Sequence, residues 1–364
     1  MSGIFGNFRI FAEMERDDEH RLRFRWYQLA LPVVIGLLVM WWLFADDLRS
    51  LSLSDLPSGG NFKLALALAL VMLVGREAGF VCRFRWLSDG ALTWGQAFKV
   101  CMMCEFASAV TPSSVGGSSL SMFFMRRYGV SLGRGTTLML TTVMLDGVFY
   151  VISCPLVLLM VPWGEIIAPL HIAAGIDTGA LVWVLYGATA LWTAVLFMGI
   201  VMWPAWIRRV LGKVFGLPVL RRWRLWADEL AENMVQASAD LRGHGLGWWL
   251  KSLGATIASW LSRYGMMNAL VIGMLPGVDH LLVFARQAVV WLVLVFCPTP
   301  GGSGVSEWLF NDLYGDIVTT ASMALVLALL WRLLSYYVYL AVGMVVAPLW
   351  IKGDKKQEKE TKLR

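Results

Sequence analysis

VTPSSVGGSSLS (Val110–Ser121) and PTPGGSGVSEWL (Pro298–Leu309) each place Thr-Pro, adjacent glycines and serines in the middle of an otherwise apolar run. Proline lacks an N–H and clashes with the preceding turn, so Pro112 and Pro300 are expected to end a helix there. The residues that follow leave backbone amides free, and the next helix points the positive end of its dipole back at the break. Ser113, Ser114, Ser118, Ser119, Ser303 and Ser306 can cap or supplement those amides. Such a constellation suits an anion such as a phosphate. Glu307, in the first turn after the second break, has two readings: a cap for the free amides, or a contact to a cationic head group or a proton.

Around these breaks the chain is uniformly apolar. Of 364 residues, 58% are apolar and 15% charged, and mean hydropathy is +0.64. Soluble proteins carry roughly 25% charged residues, so this chain is short of groups to face water. The composition excludes a soluble two-domain enzyme, a disordered chain and a nucleic-acid-binding domain. Runs of about 20 apolar residues cross a bilayer as helix. Six are present: Tyr27–Ala45, Phe62–Cys82, Thr136–Val161, Gly179–Trp203, Leu250–Leu275 and Ile317–Leu349. Trp94–Tyr128 and Leu281–Tyr314 are the two broken stretches, and each lies between two spans. The expected fold is therefore an all-α polytopic membrane protein of about six full spans plus two re-entrant broken-helix hairpins.

The net charge of +6 is an orientation signal. Of the 31 Lys and Arg, 25 fall in the N-terminal arm, beside the first hairpin, in segment 204–251 or in the tail. The positive-inside rule places both termini in the cytoplasm, and the expected location is a bacterial inner membrane. Residues 1–26 read as a cytoplasmic surface arm, 27–350 as one transmembrane domain, 204–249 as an amphipathic cytoplasmic linker and 351–364 as a basic tail. Within the linker, 219–242 reads as a helix on the anionic inner leaflet or as a solvated connector.

The order span, broken hairpin, span recurs as repeat one (about 62–161) and repeat two (about 250–349), with opposite sidedness. Inverted repeats whose broken helices meet near the midplane are a recurrent transporter design, and the breaks mark the substrate site. Charges at membrane depth tend to face partners or water. Arg76, Glu77, Glu105, Asp146, Arg263, Arg286, Glu307 and Arg332 are the candidates, four of each sign. Structural pairing and a polar cavity are both open readings. Asp146 and Arg332 lie deepest, and Arg126 and Arg127 close the first hairpin near the inner surface. Cys101 and Cys104 form a C-x-x-C without a second pair, which reads as buried small hydrophobes.

The run PTPGGSGVSEWLFNDLYG, followed by ALVLALLWRLLSYYVYLAVG, resembles the closing signature of the lysylphosphatidylglycerol synthase transmembrane family, the flippase-like domain proteins. Pro300, Gly301, Gly302, Gly304, Glu307 and Arg332 match that pattern residue by residue. Pro112, Gly116 and Gly117 match its looser first motif, and Asp146 falls where the family often has an acid. Ser118, Ser119 and Ser121 depart from the Gly-Glu or Arg that often follows the first glycines, and Thr142 and Val143 replace a common acid–Arg pair. The resemblance implies a membrane domain that moves or handles lipids. Combined with the breaks, it selects Thr111, Pro112, Gly116, Gly117, Arg126, Asp146, Pro300, Gly301, Gly302, Ser303, Gly304, Glu307 and Arg332 as substrate-binding candidates.

The expected function is translocation of a phospholipid or related polar lipid, with no cofactor, no metal and no nucleic acid, and with a homodimer allowed. The alternative is a non-catalytic membrane partner of a lipid- or glycan-modifying enzyme. Gly301–Gly304 also spells the G-x-S-G of intramembrane serine proteases, but His20, His171, His244 and His280 all precede Ser303, where such enzymes need a later histidine. The expectation is accordingly a transporter and not an enzyme.

Overall fold

The structure is a computed structural model that describes residues 41, 60–111, 115–168, 170, 177–216, 224–275, 277–318 and 320–346. The surface arm 1–26, the first expected span apart from Trp41, the basic tail, Pro112, Ser113 and Ser114 lie outside the described residues.

The regular elements among the described residues are all helices. Helix α1 spans Gly60–Leu87, built from an Ala/Leu run that favours helix, and stops at a turn where Asp89 (φ 50°) and Gly90 (φ 80°) take left-handed backbone. Helix α2, Trp94–Val110, opens on a capping box in which Thr93 Oγ1 accepts from Gln96 N and Gln96 Oε1 accepts from Thr93 N. It ends at Thr111, immediately before Pro112, and α3 follows at Val115–Arg126. The long helix α4, Leu132–Leu158, starts at Ser131, whose hydroxyl caps Arg134 N. A short α5, Trp163–Ile167, leads to α6, Thr178–Phe197, capped by Asp177 and prolonged by a π turn at Met198–Met202.

The linker consists of two helices, α7 at Ala205–Val214 and α8 at Arg224–Gly243, joined across their surfaces by an Arg208–Glu232 ion pair at 3.4 Å. Then come α9, Leu246–Met274, and α10, His280–Val295, which is capped by Asp279. After the second break α11 spans Val305–Tyr314. The last described helix, α12, runs Ala321–Arg332, passes through a π turn at Leu333–Tyr337 and continues to residue 346.

Four of these helical stretches are long and apolar enough to cross a membrane: Asn61–Leu87, Leu132–Leu158, Thr178–Met202 and Met323–Val346. Helix α9 has 29 residues but more polar sequence, Lys251 and Arg263 included. The helices flanking the breaks have 17, 12, 16 and 10 residues. Each is shorter than the roughly 20 residues a crossing needs. Leu64, Leu70, Val71, Val74, Leu156, Leu159, Val184 and Leu191 are exposed, an apolar surface that suits lipid and not water. The chain is a multi-pass membrane protein.

Helices α1 and α9 pack along each other through small residues. A Cβ on Gly79 would lie 2.7 Å from Ala255 O and 2.9 Å from Ser259 N, and one on Gly273 would meet Asn61 and Ala65. Close backbone approach at small residues is how helices associate where lipid removes the hydrophobic drive. Two hydrophobic cores flank this pair. One gathers Trp260, Tyr264, Leu294, Phe310 and Trp331, and the other Phe84, Cys104, Phe106, Met144 and Tyr336.

Candidate functional site

Between the two cores lies a cavity of about 400 Å³ whose wall is shared by both. Its polar lining is dominated by arginines, Arg76 and Arg83 from α1, Arg263 from α9 and Arg332 from α12, with Glu105 and Asp146 facing them. Trp192, Trp260, Trp291, Trp331, Tyr336 and Phe296 supply much of the apolar wall. Trp192 and Phe296 are exposed, so the cavity meets the protein surface on their side.

Each charge is held by a definite geometry. Arg76 lies between two carboxylates, 3.0 Å from Glu77 and 2.5 Å from Glu105, under the Tyr339 ring. Glu77 also accepts from the Tyr339 hydroxyl at 2.7 Å and from Cys101 Sγ at 3.4 Å. Arg83 pairs with Asp146, whose Oδ1 also accepts from Trp260 Nε1 at 2.7 Å. Arg332 pairs with the fully buried Glu307 at 2.7 Å and donates to Ser303 Oγ and Gly301 O, both at 3.3 Å. Its guanidinium stacks on Tyr336, 4.3 Å from the ring centre. Isolated charges at this depth would be costly, so pairing is what permits them.

The second break owes its shape to three glycines with left-handed backbone, Gly301 (φ 56°), Gly302 (φ 70°) and Gly304 (φ 89°). Several of its amides are engaged within the break: Gly302 N donates to Thr299 O at 3.1 Å and Ser303 N to Pro300 O at 3.0 Å. Gly304 N donates to Glu307 Oε2 at 2.8 Å and Ser306 N to Gly302 O at 2.9 Å, so Glu307 is the cap of α11. Glu307 thus takes the Gly304 amide, as its capping reading expects, and the cations that face the cavity are arginine side chains, with Arg332 beside this break.

Among the sequence candidates, Asp146, Gly301, Gly302 and Arg332 line the cavity. Ser303 and Glu307 lie directly behind Arg332, and Gly304 orients Glu307. Pro300 is half-buried in the break without lining the cavity. Thr111 turns its hydroxyl back to Ala107 O at 2.7 Å, Gly117 packs against Ser108 and the Cys104 carbonyl, and neither lines the cavity. Gly116 lies in the first turn of α3. Arg126 is exposed at the end of α3 and is not brought to the cavity, because the helix carries it to the opposite end from the break.

Arg286, grouped with the deep charges by sequence, makes a bidentate pair with Asp316 (2.6 and 2.7 Å) and donates to Leu313 O and Glu165 O, away from the cavity. Conversely, Arg83, which sequence counts only among the basic residues that set orientation and not among the deep charges, lines the cavity. A signal was present: it follows Arg76 by seven positions, two helical turns, on the same face. Trp260 with Arg263, and Arg332 with Ser335, Tyr336 and Tyr339, share faces by the same spacing.

Two broken-helix units, a charge-paired cavity between them and an apolar exterior define a polytopic membrane protein with an internal polar site. A family model of the lysylphosphatidylglycerol synthase TM region matches residues 29–343, and the chain belongs to that family. It is also similar to a UPF0104 membrane protein of Archaeoglobus fulgidus, 22% identical over 293 residues that cover 78% of this chain and 85% of the relative. No solved structure matches the chain at a significant level.

Proposed function

We propose that this protein translocates a phospholipid or related polar lipid across the cytoplasmic membrane, the head group passing through the cavity while the acyl chains remain in lipid. One observation carries this reading: a cavity of about 400 Å³, lined by four arginines and several tryptophans, opens beside exposed apolar residues of a membrane protein. That volume lies within the range of small-molecule sites, roughly 300–1,000 Å³. The guanidinium groups suit phosphate, and the aromatic wall suits the head-group boundary.

The same reading takes α2 with α3, and α10 with α11, as re-entrant hairpins of an inverted repeat. Their helices are too short to cross, and α1 and α9, which begin the two units, pack together. Both termini are assigned to the cytoplasm on the charge distribution. The protein acts as a transporter and not as an enzyme: Ser303 Oγ is engaged by Arg332, and His280 opens α10 while Ser303 follows its far end, about 24 Å of helix away.

The test is a liposome assay with fluorescent phosphatidylglycerol, in which a membrane-impermeant quencher reports arrival in the outer leaflet. The wild type is expected to move the lipid faster than empty liposomes, and the Pro300→Leu/Arg332→Ala double variant to lose that advantage. Equal rates for the two proteins would overturn the reading.

A further inference from the structure

Four guanidinium groups line the cavity, and they are not equally compensated. Arg76 has two carboxylates at 3.0 and 2.5 Å, Arg83 is paired with Asp146, and Arg332 has Glu307 at 2.7 Å. For Arg263 the nearest acid among the described residues is Glu105 at 3.5 Å, and that carboxylate is already engaged more closely by Arg76. Arg263 is also the most accessible of the four, with 17% of its side chain exposed against 3–4% for the others.

What holds Arg263 in place is aromatic. Its guanidinium carbon lies 4.6 Å from the centre of the Trp260 ring and 4.5 Å from that of Trp291. Contact of a cation with ring faces stabilises the charge without consuming N–H donors, which lie in the guanidinium plane and match two oxygens of a phosphate. Ser108 and Ser335 line the same cavity, and the buried Ser335 hydroxyl has no hydrogen-bond partner among the described residues. Neutral donors of this kind complete an anion site without adding charge.

Resting on the polar-lipid reading above, we infer that Arg263, held in the corner formed by Trp260 and Trp291, receives the phosphate of the head group, and that Glu105 is the carboxylate the phosphate displaces from it. The ligand chemistry is a phosphate mono- or diester. Glu105 keeps Arg76 when it yields Arg263, so the exchange leaves neither charge unpaired. Arg83 and Arg332 stay bound to their own carboxylates and act as walls of the site.

The test is calorimetric titration of the full-length protein in detergent micelles with three probes: dihexanoylphosphatidylglycerol, sodium phosphate, and dihexanoylglycerol, which has the same tails and no phosphate. The phospholipid is expected to bind and dihexanoylglycerol not to bind. Arg263→Gln should weaken the phospholipid by about tenfold or more, the effect of losing a charge-assisted hydrogen bond. Glu105→Gln should tighten it, because the competing carboxylate is gone. The opposite signs matter: a variant that merely misfolds cannot gain affinity. Phospholipid binding that is indifferent to Arg263→Gln, or weakened by Glu105→Gln, overturns the subsite and leaves the lipid reading standing. Binding of sodium phosphate alone, lost in Arg263→Gln, supports the subsite and overturns the lipid source. Binding by none of the probes overturns both.

Discussion

Tyr336 donates its hydroxyl to the carbonyl oxygen of Ala109 at 3.2 Å, across 227 residues of sequence. Ala109 lies in the last turn of α2, beside the first break, and Tyr336 lies in the π turn of α12, where its ring fills the space a Cβ on Gly301 would need in the second break. One side chain thus joins both breaks, and it also stacks beneath Arg332. A π turn at such a position is a common way to aim side chains at a functional site.

Loss of the Tyr336 hydroxyl in Tyr336→Phe should cost about 1 kcal/mol, the net worth of one buried hydrogen bond. Gly301→Ala should cost about 2 kcal/mol or more, since it combines left-handed backbone strain with overpacking against the Tyr336 ring. Thermal unfolding in detergent checks the ranking; a Gly301→Ala variant as stable as Tyr336→Phe would contradict it.

Glu307 and Arg332 form a pair that is 0% and 4% exposed. Removing one partner of a buried pair typically costs about 3–5 kcal/mol, whereas replacing both with apolar groups is far milder. Arg332→Leu is therefore expected to melt well below wild type. The Arg332→Leu/Glu307→Leu double variant should recover part of the loss, although Gly304 N and Ser306 Oγ still lose their acceptor. Lipid translocation should stay absent in both, as read in liposomes.

The Arg286–Asp316 pair supplies the contrasting case. Asp316 is about half exposed, and Arg286 retains Leu313 O and Glu165 O when the carboxylate is neutralised. Asp316→Asn should lower stability by about 1–2 kcal/mol, one charge-assisted bond's worth. Translocation per folded molecule should be unchanged, because this pair does not line the cavity. A transport defect without a shift in melting would assign Asp316 to the pathway instead.

Two glycines separate the packing requirement from helix propensity. Gly79→Ala would press a methyl group onto the backbone of α9 at Ala255 and Ser259, so overpacking of about 1–3 kcal/mol is expected. Gly254 lies exposed in α9 with nothing within 4 Å of its would-be Cβ. Gly254→Ala should therefore stabilise by up to about 1 kcal/mol, the propensity difference alone. Circular-dichroism melts of both variants read the sign directly.

Much of this was legible from residue order. Local chemistry places the helix ends: Thr93 with Gln96, Ser131, Asp177, Asp279 and Thr320 cap helices where sequence rules look for them. The first helix stops at Thr111, directly before Pro112, as backbone sterics require, whereas α10 already stops at Val295, so Pro298 and Pro300 lie inside the second break and do not end the helix as expected. The deep charges also stood out against apolar runs, so seven of the eight that sequence singles out surround the cavity or support its walls, and Arg286 is the exception.

Partner choice was not legible, because a charge in an apolar run does not say what it faces. Whether Arg83 anchors at a surface or enters a cavity depends on which way α1 is turned, and that is decided by glycine contacts with α9 far along the chain. Glu307 as the partner of Arg332, Arg263 as the least compensated arginine and Tyr336 as the bridge between breaks are relations among distant segments. Apolar periodicity and prolines act over a few residues and so are written locally. Charge compensation is a property of assembled neighbours, and it exists only once α1, α2, α9 and α12 have closed around a common space.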